Sequence, residues 1–181
     1  MQRDAPDLAS LVRLFYAQPA TLGQLVEVSA GQMPAVYRRL LAHEEHMTVT
    51  VEEFHHSPVH VRVLAKKVVL PHYARKILLS RQTDGRVVQF GIVRLNFSYL
   101  APEVQLEIEE ERTPLGRVLI EHNVLRRVRL SQLWEVTPGE DLQQLFGLQG
   151  PQRTYGRTAI VECNEEPAVE VLEIVTPEEG E

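Results

Sequence analysis

The chain has 181 residues, 44% of them hydrophobic, a single cysteine and a formal net charge of −6 at pH 7. That length supports one domain, residues 1–181, with a real core, and the lone Cys163 excludes an internal disulfide. The acidic balance argues against a general nucleic-acid binder, which needs clustered Lys and Arg to neutralise phosphates. No apolar run approaches the roughly 18 residues of a membrane span, and the N-terminus lacks the uninterrupted apolar stretch of a signal peptide. The expectation is a cytoplasmic monomer or dimer without nucleic-acid or membrane partners.

In chain order, residues 7–17 place Leu8, Leu11, Val12 and Phe15 on one helical face, with Asp7 as the cap and Pro19 as the stop. A short apolar segment, Leu22 to Val28, follows, and a second helix starts at Pro34 and carries Val36, Tyr37, Leu40 and Leu41. From Thr48 the period changes to two. The segments "TVTVEEF", "VHVRVLA", "YARKILLS", "VVQFGIVRLNF", "RRVRLSQLWEV", "YGRTAIVEC" and "AVEVLEIV" all read as strands rich in Val, Ile and aromatic residues. Thr83-Asp84-Gly85 and Asn164-Glu165-Glu166-Pro167 read as hairpin turns. Between the hairpins, helices are expected at about 102–111, 114–122 and 141–146, the second capped by Thr113 with Pro114 at its first position. Helices followed by runs of strands indicate an α+β fold with an antiparallel sheet. The acidic tail, 177–181, reads as disordered.

Chemistry-bearing motifs are few. His56 and His60 are four apart, but Pro58 between them removes the helix that would put both on one face, so exposed histidines are expected rather than a metal site. No nucleophile elbow, phosphate loop or dinucleotide fingerprint is present. Two charged residues inside apolar strands are more informative. Arg75 alternates with Tyr73, Ile77 and Leu79, and Glu173 with Val169, Val171 and Val175, so both point toward a core face. Each needs a partner or a ligand there: a structural Arg–Glu ion pair, or a bound molecule.

These residues sit in segments that resemble a known family. "YARKILL", the Asp84-Gly85 turn, Gly91, "TPLGRVL", "YGR" and the closing "EEPAVEVLEIV" are similar, in order and spacing, to the chorismate pyruvate-lyases, and "GQMPAVYRRL" resembles a further segment of them. The resemblance implies a six-stranded antiparallel sheet with flanking helices that enclose an internal ligand cavity under helical flaps. It implies an enzyme without cofactor or metal that splits chorismate into 4-hydroxybenzoate and pyruvate. By the same comparison Arg75 grips the ring carboxylate and Glu173 lies beside the ring hydroxyl. Leu115 supplies main-chain contact and Met33 belongs to a flap; Gly91, Gly116 and Arg157 complete the substrate-binding set. Those roles make chemical sense, because a guanidinium fork suits a planar carboxylate and a carboxyl among valines is placed to protonate the leaving enolpyruvate. A glycine at 116 would leave the helix-start N–H groups open to an anion.

The chain departs from the family where an arginine follows the glycine: Ile92 stands there, and the next arginine is Arg94. Leu172 replaces the threonine before the family glutamate, and the last hairpin is one residue longer. The same fold also occurs in UTRA-type effector-binding domains of transcription regulators, which bind small molecules and catalyse nothing. In addition, "TLGQLVEVSAGQMPAVYRRLLAH" has the length of a helix-turn-helix, its second helix carrying Arg38 and Arg39.

Overall fold

A computed structural model describes residues 5–179. Its centre is a seven-stranded, wholly antiparallel sheet in the order β1-β5-β6-β7-β4-β3-β2. The strands are β1 (Gly23–Val28), β2 (Val59–Val69), β3 (His72–Arg81), β4 (Val87–Asn96), β5 (Arg126–Pro138), β6 (Thr154–Cys163) and β7 (Glu166–Val175). The helices are α1 (Leu8–Arg13), α2 (Ala35–Leu41), α3 (Met47–His55), α4 (Pro102–Glu109), α5 (Leu115–Glu121) and α6 (Glu140–Phe146). Among the described residues no helix is long and apolar enough to cross a membrane.

The α+β class and the antiparallel sheet agree with the sequence; two segments do not. The expected sheet has six strands, and the seventh is β1, the short apolar segment before the second helix, which pairs along β5 as an edge strand with Val26 half exposed. Because 23–28 is a strand, the helix-turn-helix reading is ruled out for that stretch. The second correction is "TVTVEEF", which folds as α3. Its Thr-Val alternation favours a strand, but Met47, Val51 and Phe54 also recur at i, i+4 and i+7, and burying that stripe against the sheet outweighs the local preference.

Central strands are covered on both faces, which is why β3, β4 and β7 read as nearly continuous apolar runs. One face carries Leu78, Phe90, Ile92, Leu172 and Ile174 and packs under α1 and α6 with Leu11, Val12 and Leu142. There the Tyr16 hydroxyl donates to Asp141, tying the segment after α1 to α6, with Lys76 beside both at 3.4 Å. The opposite face carries Tyr73, Ile77, Leu79, Val93, Leu95, Val171 and Val175 and packs under α2, α3, α4 and α5. The turns fall where the sequence places them: Gly85 has φ of +74°, and Asn164 and Glu165 have φ of +52° and +68° between β6 and β7.

Asp7 caps α1, its carboxylate accepting from the Ala9 N–H at 3.1 Å. At α5 the cap shifts by one: Pro114 itself is the N-cap, with extended backbone, and Leu115 is the first helical residue, so Thr113 does not cap the helix. The acidic tail is anchored at its start, because the Tyr37 hydroxyl accepts from the Glu178 N–H at 2.8 Å. The expected disorder at 180–181 lies outside the described residues.

Candidate functional site

On the α2–α5 face the strand register builds the floor of a cavity. Ile77, Gly91, Glu173 and Arg157 stand opposite one another in a single row across β3, β4, β7 and β6. Arg75, Val93 and Val171 form the row on one side, and Leu79, Gln89 and Val175 the row on the other. Gly91 makes room in the centre, since a Cβ there would meet Ile77 Cγ1 at 3.2 Å. The roof is the meeting of two helix starts, His46, Met47 and Thr48 from α3 and Pro114, Leu115 and Gly116 from α5. Gly116 permits that meeting, because a Cβ on it would lie 3.0 Å from Thr48 Oγ1 and 3.3 Å from His46 Cβ. Close packing between the two helices therefore accounts for the glycine that the sequence reading assigned to open N–H groups.

The space between floor and roof measures about 50 Å³. That is well below the roughly 150 Å³ of an apolar cavity that takes up benzene, so an aromatic ligand requires the roof or the side chains to move.

Arg75 is 1% exposed, and among the described residues no carboxylate lies within ion-pair distance of it. Its Nη1 donates a long bond of 3.4 Å to the Ile108 carbonyl, and its Nε has no partner. Burial pulls its pKa below the ordinary guanidinium range, opposed by Tyr73 and Glu111. Two further cavity-lining groups are in the same position: Gln89 Oε1 and His46 Nε2 are buried without a hydrogen-bond partner. Buried polar atoms are seldom left unpaired, and of the five such atoms among the described residues three line this one cavity.

Glu173 also lines the cavity, but its partner is not Arg75. Its Oε2 accepts from Arg157 Nε at 2.7 Å, and Arg157, 1% exposed, spends its other N–H groups on the carbonyls of His43 and Glu45, both at 2.9 Å.

The structure thus brings Arg75, Glu173, Gly91, Leu115 and Gly116 to one cavity. Two of the expected substrate contacts fall elsewhere. Met33 is buried against Tyr37, Leu40 and their neighbours in the α2–α3 core and is not among the cavity-lining residues, and Arg157 lies beyond Glu173 with its donors committed to protein. Ile92 and Arg94 face the other side of the sheet, where Ile92 is buried under α1 and α6 and Arg94 pairs with Glu170 at 2.6 Å and bonds Ser10 at 3.1 Å. The change from the family arginine to Ile92 therefore does not alter the lining of this cavity. His56 ends α3 in a left-handed conformation and His60 lies in β2. Arg39 sits over the Phe54 ring at 5.0 Å.

Gln89 and His46 were not singled out in the sequence. For Gln89 a signal existed: in "VVQFGIV" it is a polar residue in an apolar strand, two before Gly91 and so on the same face. His46 lies between two helices, and its role follows only from what packs around it.

The His46 environment carries a pH dependence. Burial first, then Arg126 and Arg157, push its imidazole pKa down from 6.5 to about 4. In the folded chain it resists protonation that the unfolded chain accepts, so its contribution to stability is complete above pH 6.5 and is lost as pH falls toward 4. Thermal melts across that window are expected to fall less steeply for His46→Gln than for the natural chain; identical slopes would assign the loss to other groups.

Solved structures share this fold. PhnF from Mycobacterium smegmatis aligns with a TM-score of 0.56 at 11% identity over 72% of this chain and 63% of that one. The effector domain of PhnF aligns with a TM-score of 0.52 at 10% identity over 73% of this chain and 88% of the domain. The chain therefore matches less than two thirds of the full PhnF chain and most of its effector domain, and at these identities the likeness is one of fold, an α+β arrangement on an antiparallel sheet. No protein-family model matches the sequence, and no curated protein matches it.

Proposed function

We propose that the chain is a small-molecule-binding domain of the effector-binding type, whose ligand carries a carboxylate or a comparable planar anion seated on Arg75. One observation carries this reading: a fully buried guanidinium with no acid and an unpartnered Nε lines the same cavity as the unpartnered Gln89 Oε1 and His46 Nε2. A charge held in a buried site with no ion-paired acid, offset only by Tyr73 and Glu111, is costly, and an incoming anion with a second polar group compensates it. The ligand body would lie over Gly91 against Ile77, Val171 and Leu115, which suits a flat apolar ring.

A second reading, chorismate lyase, is favoured by one feature: Glu173 lines the cavity one row from Arg75, with an oxygen, Oε1, that has no protein partner among the described residues. In that reading the acid works while its other oxygen holds Arg157.

Calorimetric titration with 4-hydroxybenzoate tests the first reading, and incubation with chorismate, following pyruvate release, tests the second. Binding with no turnover is the expected pair of results. Pyruvate released at a rate that depends on Glu173 would make the lyase the better reading, and a full absence of binding by aromatic carboxylates would remove Arg75 as an anion site.

A further inference from the structure

We propose that Arg157 is the latch of this cavity, a positioning residue that ties the roof to the floor and sets how fast a ligand enters and leaves. The proposal rests on the binding reading above and adds to it a group that does not touch the ligand.

The geometry is specific. Arg157 rises from β6 in the same row as Gly91 and Glu173 and donates in three directions, to Glu173 Oε2 at 2.7 Å, to the His43 carbonyl at 2.9 Å and to the Glu45 carbonyl at 2.9 Å. The first partner belongs to the cavity floor. The other two belong to the segment between the end of α2 at Leu41 and the start of α3 at Met47, which ends in His46, a roof residue. The segment has few other polar ties: the His43 ring bonds the Leu40 carbonyl at 2.7 Å and the Glu45 N–H at 3.1 Å, both inside the segment or its own helix end. Arg157 is thus its connection by side-chain hydrogen bond to the sheet.

A cavity of about 50 Å³ under this roof admits no aromatic ring without a displacement. His46 also lines an open groove with Glu44, Asn123 and Arg126, so moving the 42–46 segment would join the cavity to that groove. Every acceptor of Arg157 is a protein atom, so the latch closes on its own account. A ligand shifts an equilibrium only by its differential affinity for the two states. With the bound ring accommodated by shifts of the floor side chains, the latch is closed in the free and in the bound chain alike, so weakening it should speed entry and exit together and leave affinity nearly unchanged.

The test uses 4-fluorobenzoate as probe, with ¹⁹F line shapes for exchange rates and titration for affinity, on the full chain and on Arg157→Lys. A lysine ammonium cannot span the three acceptors that the planar fork reaches. The expected result is a dissociation rate raised at least about tenfold with Kd changed less than about threefold. Arg157→Gln, which keeps a single amide donor and leaves every cavity-lining residue in place, should shift both rates the same way. Hydrogen exchange at 42–47 should quicken in both variants relative to the strands. An unchanged dissociation rate in folded Arg157→Lys overturns the latch. A weakened Kd with an unchanged association rate also overturns it and makes Arg157 a direct ligand contact. If Arg157→Lys does not fold, Arg157→Gln decides by the same two rates. Failure of the natural chain to bind the probe at all would defeat the cavity reading, and the latch with it, whereas Arg75-dependent binding with unaltered kinetics defeats the latch alone.

Discussion

Arg75→Met is expected to fold, to be as stable as the natural chain or more so, and to lose roughly 2–5 kcal/mol of 4-hydroxybenzoate binding, the range for truncating one side of a buried charge pair. The two halves of this result come from the same fact. Arg75 is 1% exposed, its bond to the Ile108 carbonyl is 3.4 Å long, and of the neighbouring side chains only Tyr73 and Glu111 offset its burial. In the absence of an anion its desolvation is only partly compensated, by Tyr73 and Glu111, so methionine, which fills a similar volume without charge, removes a cost. With an anion present the fork supplies two parallel bonds in a dry cavity, and that gain vanishes with the guanidinium. Denaturant unfolding and calorimetry on one preparation check both halves. A variant that loses several kcal/mol of stability would mean that Arg75 is a structural residue with a partner; one that binds as tightly as the natural chain would mean that the anion sits elsewhere.

Such a residue could be recognised in the sequence, because a charge at an inward position of "YARKILL" conflicts with its neighbours and the conflict persists in the fold. Strand positions and turns were legible for the same reason: alternation and the Asp-Gly and Asn-Glu turns are local signals. The pairing of Glu173 was not. Its partner Arg157 lies in the "YGR" segment, but only the β6–β7 register brings the two opposite each other, and only the path of 42–46 supplies the remaining acceptors. The site likewise depends on the crossing of α3 and α5 at Gly116, and α3 was read as a strand because its β-branched residues masked the i, i+4, i+7 stripe. Gly116 shows the limit from the other side: the sequence marks the residue as unusual, but whether a glycine admits a ligand or a neighbouring helix is decided by what packs against it.

The second large effect concerns the other buried arginine and has the opposite sign. Arg157 is as buried as Arg75, at 1% exposure, but its Nε, Nη1 and Nη2 are all paired, with Glu173 and with the carbonyls of His43 and Glu45. Removing it leaves a carboxylate and two carbonyls short of a donor, and breaking a buried pair from one side typically costs about 3–5 kcal/mol. Arg157→Ala is expected to lose that much in urea unfolding, with an unchanged dependence on denaturant if the transition stays two-state. Replacing both partners, Arg157→Met with Glu173→Leu, leaves no orphaned charge and should recover a large part of the loss, although the two carbonyls remain without their donor. Burial alone would assign the two arginines the same role; the partners separate them, one left short of partners, as the proposed ligand-binding role requires, and the other a tie within the protein. A loss below about 1 kcal/mol for Arg157→Ala, the size of an ordinary exposed pair, would mean that water replaces the guanidinium at Glu173 and that the 42–46 segment is held by its own helices instead.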